Sequence, residues 1–231
     1  MRERTLGIVG VSGRLGSRIA AAAEAKGLPV TFTANRTTWQ VGTPPSVVID
    51  AGSAAALDRV VRFCRDTGAG LVSCVSGLSD ETPLRELAEV VPVVRATNLS
   101  VGHWIQARLI AHAARLATAS ASAPHAAVFE RHTTAKADRP SASALALAGV
   151  WSAAAGGGTP EISSYRAGLP VSEHQLELTF AHETLTIRHD VRDLGAAVEG
   201  ALAAAEWAHH AAAGLTTIGE LFTTHFLGEQ P

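Results

Sequence analysis

The stretch that decides the fold is Leu6-Gly7-Ile8-Val9-Gly10-Val11-Ser12-Gly13-Arg14-Leu15-Gly16. Its first half is an apolar run with β-branched residues, which predicts a strand, and a helical pattern from Leu15 to Lys26 follows the glycines. A strand, a glycine turn and a helix in this order are typical of a dinucleotide-binding sheet, where backbone N–H groups at the helix start meet a pyrophosphate. An ordinary glycine-rich turn is the alternative, because the spacing Gly-x-x-Gly-x-x-Gly is one residue longer than the common fingerprint.

Strand-like and helical patterns alternate along the first hundred residues. Continuous apolar runs of this kind predict strands that are buried on both faces of a parallel sheet. The predicted strands are Leu6–Val11, Val30–Thr33, Ser46–Asp50, Gly70–Val75 and Val91–Ala96, and the predicted helices are Leu15–Lys26, Ala54–Asp66 and Pro83–Val90. The predicted fold class is therefore α/β, with an N-terminal Rossmann-type parallel sheet that has helices on both faces.

The pattern changes after Asn98, where long helices and an antiparallel-looking group of strands follow. Helices are predicted at Ser100–Ala119 and Ser141–Ala155, and strands at Ala126–Glu130 and near residues 161–167, 173–180 and 183–189. This favours a second, α+β domain with a mixed sheet. We predict a dinucleotide-binding domain at residues 1–99, a substrate-binding and oligomerisation domain at 100–191, and C-terminal helices at 192–231 that return to the first domain.

The composition excludes several classes of function. The chain has 231 residues, 47% of them hydrophobic, a mean hydropathy of +0.17 and a formal net charge of −2. A near-neutral chain lacks the basic surface that binds nucleic acid, and no apolar run approaches the roughly 20 residues of a membrane span. Cys64 and Cys74 belong to no Cys/His ligand cluster, so no metal site is expected, and two free thiols suit a cytoplasmic protein.

The residues after the second predicted strand bear on the choice of cofactor. The segment reads Thr33-Ala34-Asn35-Arg36-Thr37 and lacks the acidic residue that binds the ribose of NAD. Arg36, with Asn35 beside it, is suited to a 2′-phosphate through charge-assisted hydrogen bonds. We therefore expect NADPH. NADH is the alternative if Arg36 stacks on the adenine or is only solvated.

The polar segment from Phe129 to Ala144 concentrates the candidate catalytic residues. It contains His132, Lys136 and Asp138, and then a Pro-Ser pair in which Ser141 is suited to cap a helix. Free N–H groups at that helix start would bind an anion such as a carboxylate, and a nearby Lys and His could donate protons. A solvated charged loop ahead of a helix is the alternative.

Several motifs, in order, resemble those of the dihydrodipicolinate reductase family. The family signature reads roughly Glu-x-His-His-x-x-Lys-x-Asp-x-Pro-Ser-Gly-Thr-Ala, and the chain matches it in register at Glu130, His132, Lys136, Asp138, Pro140, Ser141 and Ala144. The glycine turn is similar to the family's Gly-x-x-Gly-Arg-Met-Gly. Other similar stretches are Val48–Asp50, Ala96–Gly102, Arg166–Gly168, Val171–His174, His189 and Arg192. The resemblance covers essentially the whole chain.

The resemblance implies an NAD(P)H-dependent oxidoreductase that transfers hydride to a conjugated cyclic imine carboxylate, the reaction type of this family in lysine biosynthesis. It implies Lys136 as the proton donor and His132 as an assisting donor or acceptor, acting in a cleft that closes around the substrate. It implies substrate contacts at Thr133, Ser141, Ala142, Ser143 and Arg192. It implies cofactor contacts at Gly10, Val11, Ser12, Gly13, Arg14, Leu15, Asn35, Arg36, Cys74, Ser76, Ala96, Asn98 and Leu99. Family members are usually homotetramers built through the substrate-domain sheet.

The departures from the family pattern gather around the reacting centre. The second His of the family's pair is Thr133, its Gly-Thr is Ala142-Ser143, and its Phe after Asn is Leu99. We therefore expect a reductase of the family with altered substrate specificity. An authentic lysine-pathway dihydrodipicolinate reductase is one alternative, and a cofactor-binding homologue with little catalysis is the other.

Overall fold

The computed structural model describes residues 3–120, 123–168 and 172–228. Val171 of the similar stretches quoted above lies outside these residues. The chain divides into two compact units. The first unit contains the chain up to Ser100 and again from Leu194 onward, and the second contains Val101–Asp193. The first unit is therefore discontinuous in sequence.

The described residues form the following strands and helices. The strands are β1 (Leu6–Val9), β2 (Val30–Ala34), β3 (Trp39–Val41), β4 (Val47–Asp50), β5 (Gly70–Ser73), β6 (Pro92–Arg95), β7 (His125–His132), β8 (Glu161–Arg166), β9 (Ser172–Thr179), β10 (Thr184–Val191) and β11 (Gly214–Thr217). The helices are α1 (Arg14–Ala25), α2 (Leu57–Thr67), α3 (Thr82–Ala88), α4 (Val101–Ala119), α5 (Ala142–Ala155), α6 (Gly195–His210) and α7 (Ile218–Leu227). Among them, no helix combines the length and the apolar character needed to cross a bilayer.

The first unit is built on a seven-stranded sheet in the order β11-β6-β5-β4-β1-β2-β3. All neighbours are parallel except β3, which runs antiparallel to β2. Every residue of β1 and β4 is buried, since α2 and α3 pack on one face while α1 and α6 pack on the other. The predicted α/β class with a largely parallel first sheet is confirmed.

Two strands of this sheet, β3 and β11, escaped the sequence analysis. Both are short edge strands. Two of the three residues of β3 are exposed, and the residues of β11 alternate between half-buried and exposed. A continuous apolar run marks only strands that are covered on both faces, so the edges of the sheet leave little signal in the sequence.

The second unit has a four-stranded mixed sheet in the order β10-β9-β7-β8. The pairs β7–β9 and β9–β10 are antiparallel, whereas β8 runs parallel to β7 because α5 crosses over between them. Helices α4 and α5 cover one face, where the buried residues are Ile110, Ala114, Leu147, Trp151, Val128, Leu176 and Leu178. The predicted mixed sheet is confirmed, although the strand group is less antiparallel than its sequence suggested.

Close backbone contacts around the turn after β1, with the residues after β4 on one side and with α1 on the other, explain two of the glycines. Gly10 has φ +78°, a conformation that L-residues rarely adopt, and a Cβ there would lie 2.5 Å from the carbonyl oxygen of Ala51. A Cβ at Gly16 would lie 2.1 Å from the carbonyl oxygen of Gly10. The first turn of α1 therefore touches the turn backbone directly.

Replacement of Gly16 by alanine is expected to lower the free energy of unfolding by about 3 kcal/mol, because the helix backbone must move away from the turn. Urea unfolding followed by circular dichroism measures this loss. The control is Gly149→Ala in α5, where a Cβ meets no atom within 4 Å and should change stability by no more than about 1 kcal/mol, in the stabilising direction. Wild-type stability in Gly16→Ala would contradict the close packing.

Candidate active site

The residues predicted to bind the cofactor follow the carboxyl ends of four parallel strands of the first unit, β1, β2, β5 and β6. The carboxyl ends of parallel strands share one edge of a sheet, so these residues gather there. They are Gly10–Leu15 after β1, Asn35 and Arg36 after β2, Cys74 and Ser76 after β5, and Ala96, Asn98 and Leu99 after β6.

The start of α1 is suited to hold an anion. Gly13 is its N-cap, no side chain caps the helix, and no acidic residue occupies its first turn. The N–H groups of that turn have no partner within the helix, and the helix dipole adds partial positive charge. Ser12, Gly13 and Arg14 are exposed, so a phosphate can approach the backbone directly.

The turn after β2 is shaped by Asn35 and presents Arg36. The Oδ1 atom of Asn35 accepts hydrogen bonds from the backbone N–H groups of Thr37 (2.9 Å) and Thr38 (2.8 Å). Its side chain therefore orders the turn. Arg36 is exposed and makes no hydrogen bond or ion pair with the described residues.

The turn after β5 is fixed by Arg95, a residue that the sequence analysis did not select. Its guanidinium donates to the carbonyl oxygen of Val75 (2.8 Å) and to Oε1 of Glu81 (2.7 Å). Ser76 is exposed in this turn, whereas burial is the main reason that the pKa of Cys74 rises to about 12. The Cys74 side chain is therefore a neutral thiol at physiological pH.

The side chains of Ala96 and Leu99 lie in the core of the first unit. They are 2% and 5% exposed, and the carbonyl oxygen of Leu99 lies where a Cβ on Gly200 of α6 would be. Only backbone atoms of these two residues are available to a ligand. Asn98 accepts from the N–H of Ser100 at 3.0 Å and is half-buried.

A buried carboxylate, Glu130, is the centre of the polar cluster in the second unit. It lies on the inner face near the end of β7 and is fully buried. Its Oε1 accepts from the N–H of Ser141 (3.2 Å) and from Nη2 of Arg166 (2.9 Å). Burial raises the pKa of Glu130, but these hydrogen bonds and the nearby His132 outweigh it and hold the pKa at about 2.

His132, at the end of β7, faces the same carboxylate. Its Nδ1 lies 2.7 Å from Oε2 of Glu130, and neither atom has another hydrogen-bond partner among the described residues. Burial lowers the pKa of His132, and Glu130 opposes this only in part. A neutral ring beside a carboxylate favours the proton on Nδ1, which leaves Nε2 as an acceptor.

Arg166 ties the loop that carries Lys136 to this cluster. It donates to the carbonyl oxygens of Lys136 (3.1 Å, from Nε) and of Asp138. Lys136 Nζ lies 2.9 Å from Oδ1 of Asp138 and remains 32% exposed. The ammonium is thus positioned and still accessible. The resemblance had included Arg166 as part of a motif without giving it a role.

Ser141 forms the N-cap of α5, as its sequence context predicted. Its Oγ accepts from the N–H of Ala144 (3.2 Å) and lies 3.4 Å from Nε2 of His174. Ala142 is exposed in the first turn of the helix, and no described residue other than glycine has positive φ. The change from the family's glycine to Ala142 is therefore compatible with a backbone donor at this position.

The structure brings the predicted substrate residues together only in part. Ser141, Ala142 and Ser143 share the start of α5, and half-buried Thr133 follows His132 directly. Arg192 is exposed after β10 and makes no hydrogen bond or ion pair with the described residues. His174, which the sequence analysis named only as part of a similar stretch, has its ring centroid 5.0 Å from that of His132.

Glu130→Gln is expected to lower the free energy of unfolding by about 3 kcal/mol at pH 7. The pKa of Glu130 is about 2 in the folded protein against an ordinary 4.5, so its contribution is present above pH 4.5 and is lost as the pH falls towards 2. Urea unfolding of both proteins between pH 7 and pH 2 should show the difference shrinking over that window. Exposed Glu161→Gln is the control, with an expected change within about 0.5 kcal/mol, and a pH-independent difference would contradict the assignment.

Comparison with known proteins agrees with the motifs. The family model described as dihydrodipicolinate reductase, N-terminus, matches residues 4–99, and the model described as dihydrodipicolinate reductase, C-terminus, matches residues 102–222. A protein of Stenotrophomonas maltophilia named 4-hydroxy-tetrahydrodipicolinate reductase is 33% identical over 161 residues, which are 69% of this chain and 65% of that protein. A protein of the same name from Granulibacter bethesdensis is 28% identical and covers 89% of this chain and 92% of its own length.

A solved structure shows the same fold. It is the dipicolinate-bound dihydrodipicolinate reductase of Paenisporosarcina sp. TG-14, with a TM-score of 0.75, 15% sequence identity and coverage of 94% of this chain and 98% of that one. The two-unit α/β architecture is therefore one that this enzyme type adopts. The two family models together match almost the whole length, and they confirm the family that the motifs predicted: the chain belongs to the dihydrodipicolinate reductase family.

Proposed function

We propose that the protein is a pyridine-nucleotide-dependent reductase of a dihydrodipicolinate-type cyclic imine. The observation that carries the proposal is the placement of the Lys136 ammonium on a loop that Glu130 and Arg166 hold beside the start of α5. A proton donor and an anion-binding helix start are what a cyclic imine carboxylate requires. The names of the relatives support the same reaction.

The first unit fits a pyridine dinucleotide. The uncapped start of α1 would bind the pyrophosphate, and the exposed Arg36 would bind a 2′-phosphate. A reduced pyridine nucleotide, when bound, supplies the hydride. We therefore propose a preference for NADPH over NADH, because the turn after β2 offers an arginine and no carboxylate.

The second unit would handle the proton and the carboxylate. Lys136 would donate a proton to the imine system as the hydride arrives at its other end, and the neutral amine would regain its proton from water. Nε2 of His132 would accept a hydrogen bond from the substrate, since Glu130 holds the proton on Nδ1. The first turn of α5 would bind a substrate carboxylate through Ser141, Ala142 and Ser143.

The same proposal leaves substrate specificity to experiment. The relatives carry the name of the authentic enzyme, which favours dihydrodipicolinate as the substrate. Thr133 in place of the family's second His is the observation that favours a changed substrate. The substrate contact of Arg192, the homotetrameric assembly and the cytoplasmic location remain predictions.

Lys136→Ala is expected to lower kcat by about 100-fold or more, since a positioned proton donor contributes that much, while NADPH binding stays unchanged. The assay is NADPH oxidation with freshly generated dihydrodipicolinate. The chain has only two lysines, so exposed Lys26→Ala is the matched control and should retain full activity. Undiminished turnover in Lys136→Ala would refute the assigned role.

A wild-type protein that binds NADPH without turning over dihydrodipicolinate would refute the authentic reaction. A screen of other cyclic imine carboxylates then separates altered specificity from a cofactor-binding homologue with little catalysis.

Arg36→Ala is expected to weaken NADPH binding by about 10-fold to 100-fold, the equivalent of losing hydrogen bonds to a charged group, and to change NADH binding by less than about 2-fold. Calorimetric titration with both cofactors measures the ratio. Exposed Arg62→Ala on α2 is the control for loss of charge. An equal loss for NADPH and NADH would mean that Arg36 does not read the 2′-phosphate.

A further inference from the structure

Three histidines from separate elements of the second unit converge beside the catalytic residues. They are His103 on α4, His174 on β9 and His189 on β10, and one ring nitrogen from each lies within 4.8 Å of the other two. Ring centroids are 5.8 Å apart for His103 and His174 and 6.3 Å apart for His103 and His189. His103 is 8% exposed, His174 is 2% exposed and His189 is half-buried.

The pairing of two strands and the side chain of Gln106 bring the three rings together. His174 and His189 are direct partners in the β9–β10 register, so their side chains share the inner face of the sheet. Gln106 lies one turn after His103 on the same face of α4, and its Nε2 donates to the carbonyl oxygens of His174 (2.8 Å) and Ile187 (3.1 Å). This side chain therefore connects α4 to β9 and β10 next to the three histidines.

Burial keeps these imidazoles neutral, the form in which they bind a metal ion. It is the largest cause that lowers the pKa of His103 to about 4 and that of His174 to about 3, and it also lowers the pKa of His189. Nδ1 of His174 is buried without a hydrogen-bond partner among the described residues, while its Nε2 faces Ser141. An unpaired buried acceptor is costly, and a bound cation would satisfy it.

We propose that His103, His174 and His189 form a binding site for one divalent transition-metal ion of the Zn²⁺ class. Imidazole nitrogens suit zinc and its neighbours rather than Mg²⁺ or Ca²⁺, which prefer oxygen ligands. Tetrahedral zinc with Zn–N bonds of about 2.0–2.1 Å needs ligand nitrogens about 3.4 Å apart, so small ring rotations complete the site. Water would take the fourth position.

A second group, Glu130, His132 and His174, has similar spacing but is less suited to a metal. The charge of Glu130 is already matched by Arg166 and by the N–H of Ser141. The three-histidine cluster instead offers three imidazole nitrogens that burial favours in the neutral form, which is why the proposal places the metal there.

The test is titration of the chelator-treated full chain with Co²⁺ at neutral pH, followed by visible absorption, and with Zn²⁺ in calorimetric competition. We expect one equivalent to bind with the intense absorption of a tetrahedral Co²⁺ complex. His103→Leu should weaken this binding at least 100-fold, whereas His112→Leu, an exposed histidine on the same helix, should leave it unchanged. His189→Ala should reproduce the loss and covers the case in which His103→Leu does not fold.

A surface site is the competing source of metal binding. Exposed His210 lies 3.3 Å from Glu206 one turn earlier on α6, a spacing that can chelate a cation. The site-specific absorption should survive His210→Ala. Its loss in His210→Ala, its retention in both His103→Leu and His189→Ala, or the absence of binding in the wild type would each overturn the proposal.

Discussion

The polar cluster of the second unit depends on the buried negative charge of Glu130. A carboxylate removed from water costs several kcal/mol unless charges and hydrogen bonds compensate it. Here three elements supply that compensation: β8 through Arg166, the start of α5 through Ser141, and β7 itself through His132. The same contacts fix the loop of Lys136, because Arg166 also binds that loop's carbonyl oxygens. The interaction that stabilises the unit is therefore also the one that positions Lys136, the proposed proton donor.

Sequence patterns predicted the strands whose residues are all buried. The strands β1 and β4 are buried on both faces, so their apolar runs were unambiguous, and the glycine turn after β1 correctly predicted the change from strand to helix. The edge strands β3 and β11 lack that uniform burial and gave no comparable signal. The sequence also suggested antiparallel pairing for β8, whereas β8 pairs in parallel with β7. The six residues of a strand do not show which strand it will pair with, or in which direction.

The candidate site was predictable where its residues are close in sequence. His132, Lys136 and Ser141 lie within ten positions and follow the order of the family motif, so the sequence could predict that they lie near one another. Arg166 and the three converging histidines come from elements far apart along the chain, and only the β-sheet register and the packing of α4 bring them together. Residue spacing, which excluded a metal site from the sequence alone, has no power to detect such a cluster.

The discontinuity of the first unit has a consequence for how the protein is made. Its sheet is completed by β11, and one of its faces is covered by α6, both of which leave the ribosome after the entire second unit. The second unit is one uninterrupted segment, so it can finish folding during synthesis, whereas β6 remains at an open edge of the sheet until β11 has been synthesised. Until then the nascent chain presents an unpaired strand and a partly uncovered apolar face, so we expect it to be most prone to aggregation between synthesis of the second unit and synthesis of α6 and β11.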